Sequence, residues 1–531
     1  MNNLFKKIKQ KNAVEKDLKK KKISFISTIF IVIGSCIGAG IFFKSQSILN
    51  NSSGSLVLAI FSWVLAAFTV IAMSFALIEV ASSGVNSNLS IVAWNKAFNS
   101  NFIYKTSKNF IVFIYLPLTM FVMPIYFFQS LQDSYQMFSG AETANLTDNW
   151  DWLIAIAVTI FLTFYFLIFS GLFAKIGNLQ NKIIFMFKFI PLVLAILMGY
   201  ILLSSGAQSS AQANVNFTNI KDFVAQGNLL SNLPGLGIFV ALSAIFFAFD
   251  GFYVSAGIQS EVAKPKKTPL AILIGLIVIT VIYLLIAISM SIVGDGTVTG
   301  FLDVAVSIGW NVETIRIILG ITNVLIAIGV LGILNGFSMW FPRVMEDLVK
   351  NDEFYFNDYW KKKIKSDKPV VGVILALLLS VPIIIVFSII GTFAYHSNGL
   401  EVYGQNISKL YSFTDLMSSW TSVIVFLFIV FAIYGALKNR KTQHIKVEQF
   451  KYFKPFAYVS IILVGLSMLV TVVVAFFDLF LIPAIASENL TNEILTSRIA
   501  SVIVLILFIV ISIAPIYIEK RFKKNTTHVI N

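Results

Sequence analysis

The chain contains twelve apolar segments, each long enough to cross a lipid bilayer. About 20 apolar residues in a helix span the hydrocarbon core of a bilayer. Apolar residues make up 57% of the 531 residues and charged residues only 12%. Because every backbone polar group in hydrocarbon needs an internal partner, helices are the expected spanning form. The sequence therefore predicts an all-α polytopic membrane protein with twelve transmembrane helices, which we number as spans 1 to 12.

Basic residues are concentrated on one side of the predicted membrane. Of the 40 Lys and Arg residues, 34 fall in the two terminal tails and in the loops that follow even-numbered spans. An excess of positive charge is typical of cytoplasmic loops, so we expect both termini in the cytoplasm and the protein in the plasma membrane. The net charge of +14 then suits contact with anionic lipid headgroups, and we recognise no module that binds nucleic acid.

Two predicted spans are interrupted by glycine. Span 1 has three glycines within the seven residues 34–40, and span 6 contains Asp250 and Gly251 within the aromatic stretch 246–252. A glycine costs about 1 kcal/mol relative to alanine in a helix interior. Irregular backbone at membrane depth persists only where protein or a water-filled cavity covers it. The stretches indicate helices opened for a ligand, although a close-packing seam between two helices is an alternative for span 1.

The two interruptions lie five spans apart, and because five is odd the two spans enter the membrane from opposite sides. Matching interruptions in two inverted halves are typical of the midplane binding site of secondary transporters. The sequence thus predicts a five-plus-five inverted repeat with discontinuous helices 1 and 6. The expected parts of the chain are a basic cytoplasmic tail (1–22), a first repeat of spans 1–5 (23–204), an extracellular loop (205–233), a second repeat of spans 6–10 (234–436), spans 11 and 12 (437–519), and a cytoplasmic tail (520–531).

The opened backbone predicts how a zwitterionic amino acid would bind. A half-helix leaves free N–H groups at its N-terminus and free carbonyls at its C-terminus. We expect the carboxylate at the amides of residues 38–40, and the ammonium at carbonyls near Ser35 and Cys36 and at the break in span 6. Aromatic rings beside that second break would close over the ligand. The predicted substrate-binding residues are Ser35, Cys36, Ile37, Gly38, Ala39, Gly40, Phe247, Ala248, Phe249, Asp250 and Gly251.

Asp250 and Lys188 are charged residues inside predicted spans, where an ionised side chain costs at least about 2.5–3.5 kcal/mol. Three roles are open for Asp250: binding a cationic substrate side chain, carrying a coupling proton, or capping the second half of span 6. Lys188 is the predicted coupling residue, a fixed or titratable cation that replaces a sodium ion beside span 1. The alternative is that its ammonium extends to the membrane surface.

Features of an enzyme are not recognisable in the sequence. The three histidines lie outside the predicted spans, and we find no metal-ligand cluster, phosphate-binding loop or activated nucleophile. We therefore predict that the protein is not an enzyme and has no cofactor.

The interrupted stretches resemble motifs of the amino acid–polyamine–organocation (APC) superfamily of amino acid permeases. The resemblance rests on residues 34–42, on residues 246–252 with the following segment 261–272, and on Asn335-Gly336 with Arg343. It covers roughly residues 23–436. The resemblance implies the five-plus-five fold with two extra helices, and a substrate cradled by residues 36–40 and 248–251.

The same resemblance implies roles for three side chains. Phe247 matches an aromatic gate, and Lys188 matches a lysine that some sodium-independent members carry in place of a sodium ion, which implies proton coupling or exchange. Asp250 departs from the small or neutral residue of many members but is similar to the acid of some that accept cationic amino acids. We expect an amino acid transporter that works by alternating access, with a non-transporting amino acid sensor and a carrier of polyamines or other organocations as alternatives.

Overall fold

The computed structural model describes residues 24–38, 40–83, 89–147, 149–209, 233, 235–253, 267–354, 357–364, 368–396, 401–480 and 492–528. Within these ranges, ten helices are long and apolar enough to cross a membrane. They coincide with predicted spans 2–5 and 7–12, which confirms the predicted all-helical fold class. The count of twelve stays a prediction, because part of span 6 lies outside the described residues, as do the tail 1–22 and most of the loop 205–233.

The helices follow the predicted spans in order. Their bounds are Phe25–Cys36 and Gly40–Asn51 (span 1), Leu56–Ala81 (2), Asn101–Phe110, Ile111–Tyr115 and Leu116–Ser139 (3), Asp151–Leu172 (4), Ala174–Phe187 and Phe189–Ser204 (5), Leu236–Ala248 (6), Thr268–Val293 (7), Val312–Lys350 (8), Val370–Ile389 and Ile390–Ala394 (9), Gln405–Thr442 (10), Phe453–Phe480 (11) and Asn492–His528 (12). Four short helices lie between spans, at Ile91–Phe98, Phe301–Ser307, Asn357–Lys361 and Glu401–Tyr403.

The two predicted interruptions are present. In span 1 the first helix ends at Cys36, and Ile37 has an extended backbone (φ −65°, ψ 108°) before the second helix starts at Gly40. In span 6 the helix ends at Ala248, and Gly251 has a φ of 92°, a left-handed conformation that favours glycine. The discontinuity of helices 1 and 6 is therefore confirmed, and the continuation of span 6 beyond residue 253 lies outside the described residues.

Two further irregularities lie in spans 3 and 5. Span 5 is divided at Lys188, which lies between the helices Ala174–Phe187 and Phe189–Ser204. Span 3 contains a π-helical turn at Ile111–Tyr115, two residues before Pro117. A π-turn is common at functional sites in helices, and this one ends at Tyr115, whose hydroxyl donates to Asp250.

Several helices extend beyond the predicted apolar segments. The apolar segment of span 8 covers about residues 314–341, but the helix runs to Lys350. Its start is capped by Asn311, whose side chain accepts from the Thr314 amide at 2.9 Å. Span 10 was expected at about 411–436 and runs from Gln405 to Thr442. Hydropathy marks the part of a helix that lies in lipid, whereas the helix itself ends where its capping groups are.

Packing brings both interruptions to the centre of the bundle. The span 6 helix Leu236–Ala248 packs on the second half of span 1 and on span 10, and the first half of span 1 packs on span 7. Gly40 allows the closest approach, since a Cβ there would lie 2.8 Å from the Cα of Ala248. The start of one half-helix thus touches the end of another.

Span 10 defines the two ends of the bundle. Asp415 lies near its start and Arg440 near its end, about 38 Å apart at the rise of an α-helix, which exceeds the roughly 30 Å of a bilayer core. At the Arg440 end, the fully buried carboxylate of Glu79 accepts from Arg440 Nε at 2.8 Å and Nη2 at 2.5 Å. We use "Asp415 end" and "Arg440 end" below.

Candidate functional site

Lys188 lies beside the interruption of span 1. Its ammonium Nζ donates to the carbonyl oxygens of Gly34 at 2.7 Å and Ile37 at 3.0 Å. In a continuous helix these carbonyls would pair with amides four residues further on. Gly34 leaves room for this approach, because a Cβ at that position would lie 3.1 Å from the Phe185 ring and 4.0 Å from Nζ. The side chain reaches into the bundle and stabilises the opened backbone.

Tyr283 of span 7 joins the ends of the two broken helices. Its hydroxyl lies 2.9 Å from the carbonyl oxygen of Cys36 and 3.0 Å from that of Ala248. A tyrosine hydroxyl has a single proton, so it donates fully to only one of these two carbonyls at a time. The other carbonyl keeps a lone pair for a further donor.

The remaining predicted residues of span 1 surround this break. Cys36 and Ile37 are buried at 3% exposure, and Gly38 is half-buried beneath Ile333, whose Cδ1 would lie 2.4 Å from a Cβ at that position. The side chain of Ser35 and the whole of Ala39 lie outside the described residues.

Asp250 accepts hydrogen bonds from two groups at the break of span 6. The hydroxyl of Tyr115, from the π-helical turn of span 3, donates to Oδ2 at 2.5 Å, and the amide of Gly251 donates to Oδ1 at 2.9 Å. The hydroxyls of Tyr115 and Tyr253 lie 3.1 Å apart. The backbone that this carboxylate would cap in the second half of span 6 lies beyond Tyr253, outside the described residues.

Phe247 and Phe249, both predicted to close over a ligand, face different surroundings. Phe247 is half-buried and lines a cavity that also exposes Asp250. Phe249 is 1% exposed and packs against the rings of Tyr283 and Trp63, with centroids 5.2 and 6.4 Å away. The structure therefore brings Phe247 to the cavity and places Phe249 in the packed core.

The cavity lies between spans 3, 6, 8 and 10, and in this conformation its volume is about 10 Å³. That is room for about one water molecule, so a substrate side chain enters only when the lining residues move apart. Five lining residues are apolar, and the others carry oxygen: Tyr115, Thr119, Asp250, Ser418, Thr421 and Ser422.

The oxygen atoms of these lining residues act as acceptors. Thr119 donates its hydroxyl proton to the Tyr115 carbonyl at 2.8 Å, Thr421 to that of Met417 at 2.8 Å, and Ser422 to that of Ser418 at 2.9 Å. Because each hydroxyl has one proton, a group whose proton is bound to its own helix presents only lone pairs to the cavity.

The two other lining hydroxyls are engaged in the same way. Ser418 has the Asp415 carbonyl as an acceptor at 2.8 Å, and Tyr115 donates to Asp250. With the carboxylate of Asp250, the described lining is negatively charged and rich in acceptors.

A buried ion pair lies between this cavity and the Asp415 end. Lys44 of span 1 is fully buried and contacts Asp415 at 2.5 Å, and its ammonium lies 5.1 Å from the centroid of the Phe247 ring. Sequence patterns alone did not identify Lys44 or Asp415 as candidate site residues. The signal was present, because Asp415 is an acid four residues inside predicted span 10.

Comparisons with known proteins agree with this architecture. A family model described as "Amino acid permease" matches residues 23–509. An uncharacterized protein of Mycoplasma pneumoniae is 41% identical over 540 residues, which is 95% of each chain. The serine/threonine exchanger SteT of Bacillus subtilis is 23% identical over 64% of this chain and 70% of its own.

A solved structure shares the fold. The crystal structure of MhsT in complex with L-phenylalanine gives a TM-score of 0.50 at 15% identity and covers 84% of this chain and 97% of its own. At this identity the similarity concerns the fold alone, and it agrees with the predicted fold class.

Proposed function

The chain belongs to the amino acid permease family, a family of membrane transporters, and we propose that it carries cationic amino acids without sodium by alternating access. Membership makes it a multi-pass membrane protein that transports amino acids. The substrate charge, the coupling, the orientation and the residues of the site are our proposal. The observation that carries the proposal is the acceptor-rich lining around Asp250.

The backbone common to all amino acids binds at the two broken helices. The amides of residues 38–40, at the start of a half-helix, take the α-carboxylate, and the ammonium of Lys188 nearby favours this negative group. The α-ammonium binds the carbonyl, of Cys36 or Ala248, to which Tyr283 is not donating. This proposal keeps the predicted roles of the amides of residues 38–40 and of the carbonyls of Cys36 and Ala248.

The side chain of the substrate enters the cavity. An ammonium offers three donors and a guanidinium five, and neither offers an acceptor. The described oxygens of the cavity offer acceptors, and Asp250 supplies the compensating charge. A neutral aliphatic side chain would leave the charge of the buried Asp250 carboxylate uncompensated, which is unfavourable. The lining therefore supports Lys, Arg or a related cation as substrate.

We propose sodium independence because the ammonium of Lys188 already donates to carbonyls at the span 1 interruption. A sodium ion would need several oxygen ligands, and carbonyls at unwound helix ends commonly supply them. Here the carbonyls of Gly34 and Ile37 accept from Lys188. The proposal leaves proton symport and exchange open as coupling modes.

Orientation follows from the distribution of charge. We propose that the Arg440 end faces the cytoplasm in the plasma membrane, because the loops with most of the basic residues lie at that end. Anionic lipid headgroups would contact these loops and the tails 1–22 and 520–531.

The test is a competition experiment in proteoliposomes. Wild-type protein should take up labelled lysine or arginine in sodium-free buffer, and Asp250→Asn should raise KM for these substrates by about tenfold or more. Neutral amino acids should be affected much less, because an amide retains the acceptor but loses the charge. Asp303→Asn, which changes an exposed carboxylate in a short helix, is the matched control.

Equal uptake of every amino acid by Asp250→Asn would contradict cation selection by the cavity. Ligand binding without uptake would identify a sensor. Stronger competition by a diamine than by lysine would favour the polyamine carrier, because a diamine lacks the carboxylate that the amides of residues 38–40 are proposed to bind.

A further inference from the structure

Arg498 of span 12 carries a buried charge without a hydrogen-bond partner. The residue is 6% exposed. Its atoms Nε, Nη1 and Nη2 are all buried, and within the described part of the chain none of them has a hydrogen-bond acceptor. A guanidinium has five N–H donors and no acceptor. Because an ion that leaves water without such partners is unfavourable, this position favours a ligand that brings oxygen acceptors.

Two carboxylates are candidates to pair with Arg498, and neither accepts a hydrogen bond from it. Asp478 of span 11 is 8% exposed and attracts the guanidinium electrostatically. Glu493, five residues before Arg498, accepts from Lys409 at 3.2 Å and lies 3.6 Å from His396 Nδ1. Spans 11 and 12 thus hold a cation and an anion that attract each other without a direct hydrogen bond.

This pair of charges lies near the lipid headgroups at the Asp415 end. Span 12 begins at that end, because Glu493 pairs with Lys409 near the start of span 10. The part of span 12 that can cross a membrane, Asn492–Glu519, has 28 residues, about 42 Å, so its first turns extend beyond the roughly 30 Å hydrocarbon core. Arg498 follows after about 9 Å, and side chains on a helix point back towards its N-terminus. The guanidinium is therefore directed towards the headgroup layer.

Exposed apolar side chains surround the two charges on the outside of the bundle. Phe477 and Phe480 of span 11 and Ile499 of span 12 are all exposed. Aromatic residues are typical of the interface between lipid and water, so phospholipid lies against spans 11 and 12 at this level. A long arginine side chain can extend its charged group to the headgroups while its stem stays on apolar surface.

We propose that Arg498 and Asp478 bind the headgroup of a zwitterionic phospholipid from the leaflet at the Asp415 end. The guanidinium turns outward and takes the phosphate, whose oxygen atoms suit its fork of N–H groups. The carboxylate of Asp478 attracts the ammonium of the same headgroup and repels a headgroup with net negative charge. The site therefore prefers phosphatidylethanolamine to phosphatidylglycerol, in contrast to the basic loops at the Arg440 end.

Thermal stability in detergent tests this site without a transported substrate. Full-length protein is purified in an uncharged detergent, and phosphatidylethanolamine, phosphatidylglycerol, diacylglycerol or inorganic phosphate is added to separate samples. Phosphatidylethanolamine should raise the Tm of the wild-type protein by at least about 3 °C in a saturable manner, and phosphatidylglycerol by less than about half as much. Diacylglycerol, which lacks the headgroup, and inorganic phosphate should each raise it by less than about 1 °C.

Two variants assign the two charges. Arg498→Met should reduce the shift with phosphatidylethanolamine to that with diacylglycerol, because it removes the partner of the phosphate. Asp478→Asn should still respond to phospholipid but should no longer distinguish phosphatidylethanolamine from phosphatidylglycerol. The matched control is Arg316→Met, which changes a half-buried arginine near the start of span 8 and should keep the wild-type shifts.

Several results would overturn the proposal. These are the absence of a shift with phosphatidylethanolamine, an equal shift in Arg498→Met and wild-type protein, and a larger shift with phosphatidylglycerol than with phosphatidylethanolamine. A full response to inorganic phosphate would identify a site for a free anion and refute lipid binding.

Failure of Arg498→Met to fold would leave two measurements. Arg498→Lys keeps the charge but loses the bidentate contact, so its shift with phosphatidylethanolamine should be smaller than that of the wild-type protein, and an unchanged shift would refute the phosphate contact. Native mass spectra of the wild-type protein should show preferential retention of phosphatidylethanolamine, and preferential retention of phosphatidylglycerol would contradict the site. Since no amino acid is present in either measurement, failure of this site and failure of the proposed transport function are distinguishable.

Discussion

Removal of the ammonium of Lys188 should disturb the interrupted conformation of span 1 more than any exposed substitution in the same helix. The Lys188→Met variant keeps a long flexible chain but leaves the carbonyls of Gly34 and Ile37 without their donor. Each unpaired buried carbonyl costs about 1–3 kcal/mol, so the pair costs at least about 2 kcal/mol. That corresponds to about 30-fold in the ratio of interrupted to alternative conformations.

Transport kinetics measure this loss. Apparent affinity falls in proportion once the binding-competent conformation becomes the minor one, so KM for uptake should rise by up to about 30-fold. The pH profile of uptake should flatten, because methionine does not titrate. Sodium should partly restore uptake by Lys188→Met and leave the wild-type rate unchanged, since the freed carbonyls are ligands for a hard cation.

The matched control is Lys182→Met, which removes an exposed lysine six residues earlier in the same span. It should leave KM and the pH profile unchanged. A Lys188→Met variant with wild-type KM and wild-type pH dependence would refute the argument. It would mean that the Lys188 ammonium extends to the membrane surface and has no part in transport.

Two further substitutions test the junction of the broken helices. Tyr283→Phe keeps the ring contacts with Trp63 and Phe249 but removes the hydroxyl between two carbonyls, so KM should rise about tenfold. The control is Tyr200→Phe. The Tyr200 hydroxyl is more exposed and lies 3.4 Å from a carbonyl, so its removal should change KM little. Gly40→Ala places a Cβ 2.8 Å from the Cα of Ala248 and should reduce uptake at least about tenfold, whereas Gly336→Ala, with no atom within 4 Å, should be tolerated. Wild-type uptake by both Tyr283→Phe and Gly40→Ala would argue against a site at this junction.

The fold was predictable because its signals are local in the chain. Apolar length identifies a span, and clustered glycines identify where a span opens, without knowledge of any neighbour. The interruption at Gly38 and the end of the span 6 helix at Ala248 were therefore placed correctly. The division of span 5 at Lys188 was missed, although Pro191 marks it. A proline donates no backbone hydrogen bond and clashes with the carbonyl four residues earlier, here that of Phe187.

Residues that act across spans were not predictable in the same way. Tyr283 and Tyr115 are two of 17 tyrosines, and nothing near them in sequence indicates that one bridges two helix ends and the other binds Asp250. Their roles depend on which helix faces which. The acceptor character of Thr421 and Ser422 is typical of hydroxyls in any membrane helix, but only packing reveals that they face a common cavity.

The chain's own cations stabilise the interrupted helices and, under the proposed function, would orient the substrate. Lys188 donates to the carbonyls at the span 1 break, and Lys44 pairs with Asp415. The acceptors at both places therefore have a donor from the chain itself. Among the lysines that the structure describes, none lines the cavity around Asp250 to match the charge of its carboxylate. Under the proposed function, a substrate with a carboxylate at one end and a cation at the other would be oriented by Coulomb interactions, with the carboxylate near Lys188 and the cation at Asp250.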